Sequence, residues 1–529
     1  MKIMKVDNRF VLIMPLVFLA VAGMVLINAI TPYGMGLVND SVGYIAGARN
    51  ILAGNGYSRL TGNASPIPIT NYPPLFSILI SGLMLTGMDA LLSAKVLNIV
   101  LFGCNIILVG LMAKRLTQST VFSLLAALFF TISSPIFVAH TYAMTEPLYI
   151  FLSLLALIVF LNYLGTLRYS LLVFAGLLTG GTILTRYVGV SVFFTIVLVV
   201  ALLPEISKNG MQTFLNRLKA LVIYAVSSLA LPIIWLLRNF LVSDNPANRQ
   251  LVYHPIPAYK INEGLENFWG WLLPERGNLV GRFLPFLGIL LIVGLIFLFA
   301  LTVTCFIRLN KTNSGIERGI DRAIFVNLAY SLLYLAVLLL SLLFADASPI
   351  FEHRILAPFY IQLLILSVWW LTWFTSNKLL GKGIAGLAAL FLVISFAGDS
   401  LDIVKQLRQE GQGFASSEWR ESELINEVKN LPKMTVYTNK ATALYLLADR
   451  PSYVLPSPIN PATNAPRENY AQDVEEIRQN VMEGKAVMVI FDYALLLDSQ
   501  DDRQWMLDLT EGVPIYREAE DGNIFGSKN

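Results

Sequence analysis

Runs of about twenty apolar residues recur along most of this chain and constrain its fold more than any other feature. A helix needs roughly 20 such residues to cross the hydrocarbon core of a bilayer. Eleven runs qualify, at 11–30, 90–113, 119–138, 147–165, 169–185, 187–203, 219–237, 283–307, 323–345, 355–376 and 380–398. Only 14% of the 529 residues are charged, against about 25% in a soluble domain, so most of the chain belongs in lipid. Backbone inside a bilayer must satisfy its own hydrogen bonds, and for runs this long that means helices. The expected fold class is therefore a polytopic α-helical membrane protein of about eleven transmembrane helices. The net charge of +3 is small and scattered, which excludes a nucleic-acid surface. Cys104 and Cys305 both fall inside apolar runs, so they read as packing residues and not as a disulfide or metal pair.

No signal-peptide cleavage pattern follows the first run, so 11–30 reads as a retained span. The piece 74–88 is short and follows Pro73-Pro74, so it reads as a re-entrant or interfacial helix on the outer side. With the N-terminus in the cytoplasm, Lys and Arg dominate the cytoplasmic segments while the outer loops mix both signs, as the positive-inside rule requires. Eleven spans then leave the tail outside. From about Asp399 charge returns and the apolar runs shorten to strand length: TVYT (435–438), VMVIF (487–491) and VPIY (513–516) alternate with helix-like stretches at 471–484 and 501–509. The expectation is a membrane domain over 1–398, including an outer loop at 31–89, and a small extracytoplasmic α/β domain over 399–529. The aromatics of the outer loop 238–282, among them Tyr253, Tyr259, Phe268, Trp269 and Trp271, read as an interfacial belt or as a surface for a sugar or an isoprenoid tail.

The stretch 31–77 is polar, rich in Gly and Pro, and too interrupted to span. It carries Asp40 in VNDSVGY, then Tyr44, and closes on a YPPL turn beginning at Tyr72. Other charges gather at the same outer rim: Glu146 in TEPLY, Arg186 in ILTRYVGV, Arg238 in WLLRNF, and Glu352, His353 and Arg354 in FEHRILAPFY. A charge at that depth is costly unless it is paired or faces a wet cavity. Asp40 reads either as a helix N-cap or as a general base for an attacking hydroxyl. Glu146 reads either as an acid placed for the helix dipole or as a second acid holding the acceptor or a cation. Guanidinium groups grip phosphate oxygens in a fork that Lys cannot match, so Arg186, Arg238 and Arg354 read as donor-phosphate contacts. Tyr44, Tyr72 and His353 read as substrate contacts. Two acids with His140 or His353 do not make a metal spacing, which leaves a divalent cofactor open. No Gly-rich phosphate loop follows a strand, so a nucleotide cofactor is not expected and the donor should arrive on a lipid.

These motifs, in this order, resemble the GT-C superfamily of polytopic glycosyltransferases, in the branch of protein O-mannosyltransferases and aminoarabinose transferases. The likeness runs over about residues 10–400: Asp40 with Tyr44, the YPPL turn, TEPLY, the glycines ahead of LTR (Gly176 to Arg186), WLLRN and HRILAPFY. The resemblance implies Asp40 as the catalytic acid-base residue, Glu146 as the second outer-loop acid, the Arg354 segment as part of the lipid-phosphate site, and inversion at the anomeric carbon. Two departures stand out. Ser41 follows Asp40 where many relatives have paired acids, and Tyr72 stands where aminoarabinose transferases place a Lys before Pro-Pro. The function expected is transfer of a sugar from a polyprenyl-phosphate donor to a glycan, lipid or protein on the outer side of the plasma (inner) membrane. The rivals are a polysaccharide polymerase or ligase using a diphosphate-linked glycan, and a transporter or flippase, which would place its charges near the midplane between inverted repeats.

Overall fold

The computed structural model describes residues 8–62, 65–202, 210–249, 251–272, 283–311, 315–345, 351–376, 379–460 and 465–527. The helices of the first four-fifths of the chain are α1 (Asn8–Ile30), α2 (Asn39–Leu52), α3 (Leu75–Met84), α4 (Ala90–Thr117), α5 (Thr120–Ile132), α6 (Ser134–Thr141), α7 (Glu146–Thr166), α8 (Tyr169–Thr185), α9 (Val190–Leu202), α10 (Gly210–Ser243), α11 (Ala258–Leu272), α12 (Leu284–Lys311), α13 (Ile316–Phe344), α14 (His353–Ser376) and α15 (Leu379–Glu410). A short hairpin of β1 (Ser58–Leu60) and β2 (Pro66–Pro68) lies between α2 and α3.

Among the described residues seven helices are long and apolar enough to cross a membrane: Val11–Ile30, Ala90–Thr117, Glu146–Thr166, Phe214–Ser243, Leu284–Lys311, Ile316–Phe344 and His353–Thr372. The chain is thus a multi-pass membrane protein, but the spans do not all take the expected form. The run 119–138 is broken into α5 and α6, which meet at 57° and make an eighth span if counted as one. The cause is Pro135, which has no N–H for the carbonyl four residues back; Ser133 ends α5 in an extended conformation and accepts from Ile136 instead. The runs 169–185 and 187–203 form shorter apolar helices, Tyr169–Thr185 and Tyr187–Leu202. The run 380–398 lies within α15, several of whose side chains fall outside the described residues. The piece 74–88 contains α3, ten residues long, about half the length needed to span.

Close approach of backbones sets the packing of α8 on α10. In α8 a Cβ on Gly180 would meet the backbone oxygen of Ser228 in α10 at 2.7 Å, so the small-xxx-small spacing of Gly176 and Gly180 lets the two helices touch. The fully buried Tyr224 of α10 donates to Thr179 Oγ1 at 3.0 Å beside this contact.

The chain's last part builds a five-stranded sheet from β3 (Thr435–Thr438), β4 (Tyr453–Val454), β5 (Ala486–Phe491), β6 (Ile515–Ala519) and β7 (Gly522–Phe525), in the order β4-β3-β5-β7-β6. Strands β4, β3 and β5 run parallel; β7 and β6 complete the sheet antiparallel. All six residues of β5 are buried, as a parallel strand covered on both faces requires. Met488 and Ile490 meet Val474, Ile477, Val481, Met506 and Leu509 on one face, while Val487 and Val489 meet Leu424, Ile425, Val428 and Leu444 on the other. The strand expected at 513–516 lies two residues later. The boundary expected after residue 398 falls inside α15.

Candidate active site

Helix α2 begins at Asn39 with Val38 as its N-cap, extended at φ −128°. Ser41 Oγ accepts from the Val38 N–H at 3.1 Å, so Asp40 does not serve as the cap. Its half-buried carboxylate instead accepts from Tyr72, whose phenol lies 2.6 Å from Oδ1. Tyr72 reaches it because residue 43 is glycine: a Cβ there would meet Cε2 of the Tyr72 ring at 2.9 Å. Tyr44 packs against Tyr72 at 5.1 Å and edge-on to Phe76 at 5.6 Å. Tyr44 is itself buried, so it supports the site from behind. Burial first, then the charge of Asp40, raise both phenols well above the ordinary tyrosine value, while Arg59 and Arg249 pull Tyr72 the other way.

The segment leading to Glu146 is strapped to the segment leading to Asp40. Gly36 N–H donates to Thr141 O at 2.8 Å, and Ala143 N–H donates to Gly36 O at 2.9 Å. Glu146 opens α7 and is only 2% exposed. It pairs with Arg186 at 2.7 Å, and Arg186 also donates to Thr145 Oγ1 at 3.1 Å. Arg186 stands where α8 breaks into an extended residue before α9. Its guanidinium lies within Coulombic reach of Glu146, Tyr44, Tyr334 and Asp40. Arg354, the second residue of α14, pairs with Glu352 and feels the charges of Glu146 and Arg186. The ion pairs Glu146–Arg186 and Arg354–Glu352, with Asp40 on the segment strapped to the one leading to Glu146, thus make a charged string drawn from four separate parts of the chain. Beneath it Tyr149 and Tyr330 share a hydroxyl contact at 2.9 Å, and Tyr334 donates to Ile355 O at 2.6 Å.

Two expected contacts lie apart from this string. Arg238 donates to the carbonyls of Ile69 at 2.6 Å and Tyr57 at 3.0 Å and stacks on Trp235, so its fork holds the β1–β2 hairpin against α10. His353 sits against Tyr360, 6.3 Å between ring centroids. The aromatics of the segment 238–282 divide. Tyr253 and Tyr259 are exposed, but Trp271 is buried, stacked on Tyr360 at 4.5 Å, and donates to Ser133 Oγ at 3.0 Å in the break between α5 and α6. Arg59, in β1, and Arg249, whose charges act on Tyr72, were not singled out from the sequence, where nothing local marks them.

A carboxylate oriented by a phenol can take a proton, and a guanidinium held nearby by its own carboxylate can stabilise a leaving phosphate. The donor set does not fit a divalent cation. Asp40 offers one carboxylate, Glu146 faces Arg186, and among the described residues no three His, Cys, Asp or Glu side chains converge on a metal position.

Residues 64–245, roughly a third of the chain, match the family model described as dolichyl-phosphate-mannose-protein mannosyltransferase. No curated protein matches the chain. Among solved structures, the Archaeoglobus fulgidus oligosaccharyltransferase tethered with an acceptor peptide is 13% identical, covering 99% of this chain and 75% of that one, at a TM-score of 0.55. The same enzyme in complex with Zn and sulfate is 14% identical, covering 96% and 73%, at 0.52. ArnT from Cupriavidus metallidurans bound to undecaprenyl phosphate is 12% identical, covering 96% and 97%, at 0.48. The resemblance read from the sequence holds at the level of the fold: this chain has the fold of the GT-C membrane glycosyltransferases, with a small C-terminal α/β sheet domain.

Proposed function

We propose that the protein is an integral membrane glycosyltransferase that moves a sugar from a polyprenyl-phosphate carrier to a hydroxyl of a glycan, lipid or protein outside the plasma membrane. The observation that supports this reading is that Asp40, held by Tyr72 at 2.6 Å, lies on the segment strapped to the one that carries the Glu146–Arg186 ion pair. The description of the matched family, which names a dolichyl-phosphate-linked mannose, supports a lipid monophosphate donor.

Asp40 accepts the proton of the acceptor hydroxyl through the carboxylate oxygen that Tyr72 leaves open. The acceptor oxygen forms a bond to the anomeric carbon as the bond from that carbon to the phosphate oxygen breaks. The electron pair leaves on the phosphate, where Arg354 and Arg186 stabilise the growing charge. Attack from the face opposite the phosphate inverts the anomeric centre. The N-terminus is then cytoplasmic, residues 399–529 are extracytoplasmic, and the sheet domain lies over the site. Its link to α2 is direct: Thr442 donates to Asn39 at 2.6 Å, and Phe414 N–H donates to Leu37 O at 2.8 Å. A transporter reading finds less support, because the charges collect at one rim.

The test is mass spectrometry of envelope glycans, lipids and proteins from a deletion strain and from one carrying Asp40→Asn. Loss of the same sugar in both is expected; an unchanged profile in either sinks the reading.

A further inference from the structure

The segment that enters α2 is the middle of a short parallel ladder of three segments. On one side Gly36 bridges Tyr142, with Gly36 N–H donating to Thr141 O at 2.8 Å and Ala143 N–H donating to Gly36 O at 2.9 Å. On the other side Leu37 bridges Gly413, and Phe414 N–H donates to Leu37 O at 2.8 Å. Gln412 Oε1 accepts from Thr141 Oγ1 at 2.8 Å, so the segment after α15 also reaches the one leading to Glu146. That segment is rooted in the sheet: Phe414 lies edge-on to Trp419 at 5.0 Å, and Trp419 packs on Phe491, the last residue of β5, at 5.2 Å. Gly413 has φ +53°, and a Cβ there would run into Leu37 O. Backbone conformation and space both demand glycine at this position.

We propose that Gly413 and Gln412 are positioning residues for Asp40, three positions beyond Leu37. Tyr72 holds the Asp40 side chain; the 412–414 segment holds the backbone that carries it. This rests on the reading of Asp40 as the base that takes the acceptor's proton. A base displaced by about 1 Å can lose up to about a hundredfold in rate.

The test compares Gly413→Ala with Gly512→Ala in the full chain. Gly512, at φ +75° in the same sheet domain, would place a Cβ no nearer than 3.8 Å from Arg478 Nη2, so both variants strain the backbone but only the first disturbs Leu37. Gly413→Ala is expected to lower the envelope sugar that Asp40→Asn abolishes by about tenfold or more. In lipid nanodiscs it should speed hydrogen exchange at the Gly36 and Ala143 amides about tenfold and leave the Kd for farnesyl phosphate, the probe of the phosphate contacts, unaltered. Gly512→Ala should match the wild type in all three. Gln412→Ala, which strains no backbone, should lower the sugar in the same direction, and Gln412→Glu, which keeps an acceptor for Thr141, should restore it. Unchanged sugar or unchanged exchange in both Gly413→Ala and Gln412→Ala, with the sugar lost in Asp40→Asn, overturns the proposal and leaves the reading of Asp40 standing. Equal losses in Gly413→Ala and Gly512→Ala overturn it too, as does farnesyl phosphate binding that weakens in step with the sugar. If Asp40→Asn keeps the sugar, the reading itself fails and the proposal falls with it.

Discussion

The phenol of Tyr72 donates to Asp40 Oδ1 across 2.6 Å, tying the turn before α3 to the first turn of α2. The bond places Tyr72 to position the carboxylate; the sequence suggested a substrate contact, and the two roles differ in their kinetics. Hydrogen bonds to a charged group contribute about 1.5–3 kcal/mol, or roughly one to two powers of ten in rate if the bond matters in the transition state. Tyr72→Phe is therefore expected to lower turnover about tenfold or more with little change in donor KM. Initial rates at varied donor concentration check this. A change confined to KM would return Tyr72 to substrate binding.

Ionisation of Tyr72 should not limit the reaction at any ordinary pH. Burial, with Asp40 next, holds the phenol well above its usual value. A group raised in the folded state contributes its stability in full below its unfolded value, near 10, and loses it as pH climbs from there toward the folded value. The Tyr72–Asp40 bond is thus expected to persist from pH 6 to about 9. Turnover of the wild type and of Tyr72→Phe should differ by a constant factor over that range. A factor that shrinks steadily above neutral pH would contradict it.

Arg238 was legible as an arginine at the end of a span, but its partners were not. They are two main-chain carbonyls, Ile69 O and Tyr57 O, about 170 residues earlier in the chain, and no pattern around WLLRN marks them. Arg238→Ala should loosen the β1–β2 hairpin and speed tryptic cleavage after Arg59, while phosphate-probe affinity stays within about twofold. Arg238→Lys should give an intermediate rate, because an ammonium cannot present the planar fork. Collapse of phosphate affinity with the hairpin still protected would restore the phosphate role.

Hydropathy made the membrane class readable, and the charges at span ends drew attention to Glu146 and Arg186. Their pairing was hidden. Glu146 and Arg186 are 40 residues apart and meet through the turn of α7 into α8 and the glycine contact of α8 with α10, neither of which fixes a side-chain partner in sequence. Pro135 was visible inside the run 119–138, yet hydropathy continued across it, so the break was masked by composition. Trp271 looked like its aromatic neighbours at the interface. Only the packing against Tyr360 and Ser133 turns it inward.

Arg354 offers the sharpest contrast between charge and shape. It is held by Glu352 at 2.5 Å, so its guanidinium is oriented before any phosphate arrives. If it grips the phosphate through two parallel N–H donors, Arg354→Lys keeps the charge but loses the fork, and Arg354→Ala loses both. Arg354→Lys should raise the Kd for farnesyl phosphate about tenfold, the equivalent of one charge-assisted bond. Arg354→Ala should raise it further and also depress turnover at saturating donor, because leaving-phosphate charge goes unstabilised. Calorimetry on both variants reads the first effect, and single-turnover transfer reads the second. Equal losses in the two variants would mean that geometry alone decides; full retention in Arg354→Lys would mean that charge alone does.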